Sequence, residues 1–190
     1  VRLAQELETG KEYEVVLTTG GGFYRYNLED VVSVMGFKNQ CPLVKFVGRN
    51  NNISDLFGEK LNEYHVSRAV SEAIRRTSLN PSFFMVAPEK IGDAPAYVLF
   101  IESDEHFDAN SVVEDLDSKL QDNYHYRYCR KLGQLEKPKI FLIDKSSEKS
   151  ASDIYLEENQ ARGKKIGNVK PATLSSQFGW SRKFKGRYVN

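Results

Sequence analysis

An acid, an arginine and a lysine fall at three successive turns of this chain. Asp30 ends the run Tyr24-Arg25-Tyr26-Asn27-Leu28-Glu29-Asp30, Arg49 closes Phe46-Val47-Gly48-Arg49, and Lys60 sits in Phe57-Gly58-Glu59-Lys60-Leu61. An ionised carboxylate accepts hydrogen bonds on two oxygens, which suits a ribose diol. Guanidinium and ammonium groups suit phosphate oxygens. Each residue also has a plain explanation. Turn aspartates cap or solvate, strand-end arginines form surface ion pairs, and a lysine beside a turn glycine is unremarkable. Together, at this spacing, the three are more specific, and the chemistry they suit is holding a nucleotide.

The elements that position them read as short strands. Tyr13 to Thr18 is a β-branched run, broken by Gly20-Gly21-Gly22. Phe23 to Leu28, Val31 to Phe37 and Leu43 to Val47 follow, a meander or small barrel. The glycine triplet lacks the Lys-Ser/Thr ending and the following helix of a phosphate loop, so it reads as a turn between strands. Asn50-Asn51-Asn52 is the candidate linker. Beyond it Val66, Val70, Ala73 and Ile74 recur at helical spacing, which predicts a helix over 62–77. Phe83 to Ala87, Tyr97 to Glu102 and Ile140 to Ile143 read as strands. Ser111 with Glu114 forms a candidate capping box for a helix carrying Val112, Val113, Leu116, Leu120 and Tyr124 on one face. Ser150 starts a weaker helix ending near Gly163, and 145–152 reads as polar loop. The expected fold is α+β. A small β-rich remnant over 1–49 precedes a hinge at 50–54 and a compact mobile domain of α/β-layer type over 55–190, with helices on one side of a sheet.

Composition bounds the function. The 190 residues are 40% hydrophobic and 28% charged, with net charge +1, which is ordinary for a globular chain. There is no global case for nucleic acid or membrane. No apolar run is long enough to span a bilayer and no secretory leader is seen, so a cytoplasmic setting with both Cys41 and Cys129 reduced is expected. The start at Val1 suits a trimmed chain. No Asp or Glu follows Glu158, whereas Arg162, Lys164, Lys165, Lys170, Arg182, Lys183, Lys185 and Arg187 do. That cationic tail reads as a solvated, partly mobile end, as a surface for the phosphates of ATP or of a phosphate-rich second substrate, or, a weaker third reading because Phe178, Trp180, Phe184 and Tyr188 form no stacking motif, as a surface for RNA. His65, His106 and His125 have no metal spacing, and no metal ligands are expected in this chain. Tyr124-His125-Tyr126-Arg127-Tyr128 reads as the end of a helix covering the sheet. Glu102, Asp104 and Glu105 read as a solvated turn.

The phrases YRYNLED, VMGFKNQCPLVKFVGR and GEKLNE resemble the Gretchen-Hagen auxin-responsive family of acyl-acid amido synthetases, part of the adenylate-forming group that includes acyl-CoA synthetases, peptide-synthetase adenylation domains and luciferases. The likeness is dense over 11–66 and looser to the end, where Asn168-Val169-Lys170-Pro171 looks like the C-terminal lysine element. The resemblance implies the C-terminal part of an ATP-dependent ligase that forms an acyl adenylate from a small carboxylic acid and passes the acyl group to an amine. Transfer to a thiol, as in an acyl-CoA synthetase, and a non-catalytic nucleotide- or partner-binding module are the alternatives. By resemblance, Asp30 holds the ATP ribose and Arg49 contacts ribose or phosphate. Tyr24 flanks the adenine, Lys60 approaches the phosphates and Lys170 stabilises the adenylation transition state. ATP and Mg2+ are implied, bound mainly by an upstream domain of the same protein that would also carry the phosphate loop and acid pocket. The chain alone is therefore expected to adenylate nothing. Glu29 departs from the family pattern, which has Gly immediately before its aspartate.

Overall fold

Alternation of apolar and polar residues at the start of the chain makes three antiparallel strands, β1 (Glu12–Leu17), β2 (Tyr26–Lys38) and β3 (Cys41–Arg49), in the order β1-β2-β3. In this computed structural model the described residues are 1–49, 52–77, 79–145, 149–163 and 172–189. The glycine triplet lies in the connection between β1 and β2, where the Thr19 N–H donates to the Phe23 carbonyl at 2.8 Å. The two strands expected at Phe23–Leu28 and Val31–Phe37 are one strand instead. Glu29 takes φ +57° and the β2–β3 register shifts between Val31 and Val32, so the chain bulges without leaving the ladder.

A two-strand ribbon, β4 (Ile53–Ser54) with β5 (Leu61–Asn62), leads straight into α1 (Glu63–Arg75). Asn62 caps that helix by accepting from the His65 N–H at 2.8 Å. Strands β6 (Phe83–Ile91) and β7 (Ala94–Glu102) form a hairpin turning at Gly92, whose φ of +78° favours glycine. Then α2 (Ala109–Leu120) and α3 (Tyr124–Lys131) cross over to β8 (Glu136–Ile143), parallel to β7. After α4 (Ala151–Ala161), β9 (Gly186–Val189) adds antiparallel to β8, giving the order β6-β7-β8-β9. The fold is α+β.

Strand alternation splits the core of this second sheet in two. Val86, Tyr97, Leu99, Ile101 and Ile140 face α1, α2 and α3, packing on Val66, Val70, Val112, Leu116 and Tyr126. Met85, Val98, Phe100, Phe141 and Ile143 face Ala151 and Tyr155 of α4, with Trp180 and Phe184. The helices expected on one side therefore cover both. The cationic tail is likewise folded where it is described. Trp180 and Phe184 are buried, Lys183 pairs with Glu158 at 2.8 Å, and β9 completes the sheet. Gly186 permits that last strand, since a Cβ there would lie 2.2 Å from the Leu142 carbonyl oxygen. Charge concealed this strand in the sequence, because only alternate positions of an edge strand need be apolar.

The helix expected from Ser111 starts earlier. Asp108 caps α2 by accepting from the Asn110 N–H at 3.0 Å. The aromatic run is a separate helix, α3, capped by Asn123, and the break at 121–123 turns Tyr126 and Cys129 inward. Ser150 caps α4 as its position predicts, so the loop expected over 145–152 ends at the helix start.

Candidate functional site

Asp30 and Arg49 are direct partners across the β2–β3 ladder, the last pair of that ladder. Asp30 is buried, 8% exposed. Its neighbour Glu29 occupies the left-handed backbone that a glycine would take without strain, and the Glu29 N–H is held by the Asn27 side chain at 2.8 Å.

Lys60 ends the six-residue loop between β4 and β5. The loop is tightly bonded. Asp55 accepts from the Gly58 N–H at 2.7 Å. Glu59, fully buried, accepts from the N–H groups of Leu56 at 2.9 Å and Phe57 at 2.8 Å. It also accepts from the Tyr97 hydroxyl at 2.6 Å, and Tyr97 lies 2.8 Å from the buried Ser54 hydroxyl. Burial, with the Glu59 carboxylate beside it, pushes the Tyr97 hydroxyl well above the ordinary tyrosine range. Burial, aided by Glu59 and Asp55, also raises the Cys129 thiol. Lys60 itself is exposed, on a backbone of φ +44°.

Two further contacts tie this loop to the first sheet and to the end of the chain. A Cβ on Gly48, next to Arg49, would lie 3.3 Å from Tyr64 Cα, so β3 touches the first turn of α1, four residues past Lys60. The Tyr64 hydroxyl bonds Glu12 of β1. Glu63 is almost fully buried and accepts from the Thr173 N–H at 2.7 Å and the Asn52 amide at 3.1 Å; the same amide donates to the Leu174 carbonyl at 2.7 Å. Asn52 of the expected hinge is thus anchored to α1 and to residues 173–174. The two sheets meet α1 around a cleft of about 580 Å³. Glu12, Ser33 and Lys45, consecutive across the three strands, face Ser67, Arg68 and Glu72 there.

The remaining expected residues are Tyr24 and Lys170. Tyr24 is exposed in the bend before β2. Lys170, with Asn168 to Pro171, lies outside the described residues, as do Asn50 and Asn51. Glu102, expected in a solvated turn, is buried and accepts from the Ser82 hydroxyl at 2.6 Å and the Ala151 N–H at 3.3 Å, because α4 packs over the strand end. Among the described residues no group of three His, Cys, Asp or Glu is arranged to hold a metal ion, and no helix is long and apolar enough to cross a membrane. Cys41 and Cys129 are free thiols. Sequence reasoning passed over Glu59, Glu63 and Tyr97. The available signal was two acids flanking Lys60 at a ribbon-to-helix junction, where backbone N–H groups need acceptors.

Residues 1–49 match the GH3 family central domain and residues 64–177 the GH3 family C-terminal domain. The chain is similar to indole-3-acetic acid-amido synthetase GH3.17 of Arabidopsis thaliana, 32% identical over 137 residues, covering 65% of this chain and 22% of the relative. It is also similar to probable indole-3-acetic acid-amido synthetase GH3.7 of Oryza sativa subsp. japonica, 27% identical over 183 residues, covering 88% of this chain and 28% of the relative. The chain therefore spans under a third of these relatives. Among solved structures, GH3.15 acyl acid amido synthetase superposes with a TM-score of 0.62 at 23% identity, over 92% of this chain and 31% of that one, a shared fold.

Proposed function

The chain belongs to the GH3 family, and from that premise we propose that it is the C-terminal part of an ATP-dependent acyl-acid amido synthetase acting in the cytoplasm. The observation that carries the reading is the pairing of Asp30 with Arg49 at a sheet end that touches α1 four residues after Lys60. An acid for ribose, a guanidinium and an ammonium for phosphates are thereby mounted on adjoining elements. The exposed apolar side chains of the first sheet, Met35, Phe37, Leu43, Val44 and Phe46, support the reading too, because a lone domain seldom leaves so much apolar surface open.

In this reaction a carboxylate oxygen of a small acid attacks the α-phosphorus of ATP. The bond to pyrophosphate breaks and an acyl adenylate forms. An amine, such as that of an amino acid, then attacks the acyl carbon, releasing AMP and leaving an amide. Charge gathers on phosphate oxygens in the first step, and positioned cations lower that barrier. In the proposed assignment Asp30 accepts from the ribose hydroxyls, Arg49 contacts ribose or phosphate, and Tyr24 flanks the adenine. Lys60 approaches the phosphates and Lys170 stabilises the transition state. Mg2+ would be held mainly by the upstream domain; among the described residues no three-ligand cluster for it occurs. The amide product follows from the similarity to indole-3-acetic acid-amido synthetases.

ATP–pyrophosphate exchange with a panel of carboxylic acids tests the reading. The isolated chain should stay at background while the longer ligase carrying it turns over. In that ligase Lys170→Ala should slow adenylation by about 100-fold, with amide formation from pre-made acyl adenylate much less affected. Robust exchange by the isolated chain overturns the fragment reading, and equal loss in both steps removes Lys170 from its role.

A further inference from the structure

We propose that Glu59 and Tyr97 are positioning residues that lock the backbone of Lys60, a role that rests on the reading of Lys60 as the lysine that approaches the phosphates. The lock is a buried charge on a chosen set of donors. The Glu59 Oε1 accepts from the Leu56 N–H at 2.9 Å and the Tyr97 hydroxyl at 2.6 Å, and its Oε2 accepts from the Phe57 N–H at 2.8 Å. Tyr97 is itself fully buried in β7, its ring 6.2 Å from that of Tyr126 on α3. One carboxylate thus fastens the turn that precedes Lys60 to the centre of the four-stranded sheet.

An apolar plug would fill this space at less cost, since a buried carboxylate must be stripped of water and then fully bonded. What the carboxylate adds is direction. Three donors on two oxygens fix where the loop's backbone lies, and the next residue is Lys60, left-handed at φ +44° and turned to solvent. Asp55 closes the same loop on the Gly58 N–H at 2.7 Å. Loss of even a few tenths of an ångström in this placement would weaken a lysine that acts through charge on a transition state.

The lock has a local readout in the chain itself, because trypsin cuts after lysine. The bond from Lys60 to Leu61 should be cut about 10-fold faster in Tyr97→Phe than in the original chain, with cleavage after Lys119 in α2 unchanged. In the longer ligase Tyr97→Phe should lower the kcat of adenylation about 10-fold and leave KM for ATP in place. The deciding measurement is the double variant. If Tyr97 acts through Lys60, Tyr97→Phe combined with Lys60→Ala is no slower than Lys60→Ala alone. Additive losses, or unchanged cleavage after Lys60, overturn the lock while leaving Lys60 in its role. A harmless Lys60→Ala overturns the reading of Lys60 and the proposal with it. Should Tyr97→Phe fail to fold, Glu59→Gln keeps the volume of the side chain but replaces one of the two acceptor oxygens, Oε1 toward Leu56 and Tyr97 or Oε2 toward Phe57, with a donor, and the same outcomes apply.

Discussion

The two larger sheets among the described residues use the same residue types to opposite ends. In the first, β1–β3, Met35 is 61% exposed and Val44 51%, and the buried acid Asp30 sits at the end of a strand pair opposite Arg49. In the second, β6–β9, Phe100, Leu99, Ile101 and Tyr97 are sealed between helices, and the acids buried around it clamp connections. Glu89 accepts from the Gly179 and Ser181 N–H groups, both at 3.0 Å, and so fixes the turn holding Trp180. Glu102 holds the start of α4, and Asp117 holds Arg130 and the Tyr126 hydroxyl. A buried carboxylate is therefore no sign of catalysis here. What distinguishes the candidate group is its place, at the end of the β2–β3 ladder in a sheet that is itself half open.

That contrast can be broken most directly at Trp180, which stacks on Tyr155 and Phe184. Trp180→Ala should cost about 3–5 kcal/mol in chemical denaturation, enough to threaten folding, whereas a loss near zero would mean the second face is not a core. Alkaline titration gives the next effect. Burial raises the hydroxyls of Tyr97 and Tyr126 in the folded chain, each beside an acid, Glu59 and Asp117 respectively. The folded state then keeps protons that the unfolded state releases. Stability is full below the ordinary tyrosine value near pH ~10 and falls above it, by up to about 1.4 kcal/mol per pH unit for each tyrosine. Denaturation followed across that range should show the fall, and a flat profile would place both hydroxyls in water. The smallest change belongs to the first sheet. Val44→Thr should shift stability by less than about 0.5 kcal/mol, while light scattering of the isolated chain decreases. A core-sized loss there would erase the difference between the sheets.

Much of the second region could be read from the sequence. Val66, Val70, Ala73 and Ile74 announced α1, and Ser150 announced α4, because helical period and capping are local properties. The misses share a cause. The bulge at Glu29 looked like a strand break, since a positive φ in a non-glycine residue has no sequence mark. Strand β9 hid in a basic tail, and α3 hid in an aromatic run whose inward side is only Tyr126 and Cys129.

Of the candidate site, residue type and order alone gave Asp30, Arg49 and Lys60 as groups suited to ribose and phosphate, because charge and hydrogen-bonding capacity belong to the side chain itself. Tertiary structure decided the rest. It set Asp30 across from Arg49, brought Gly48 against Tyr64, and sank Glu59 onto Tyr97, 38 positions further along the chain. Burial depends on what packs from remote parts of the sequence, so whether an acid meets water, a backbone N–H or a neighbouring hydroxyl is settled only when the sheets and helices close around it.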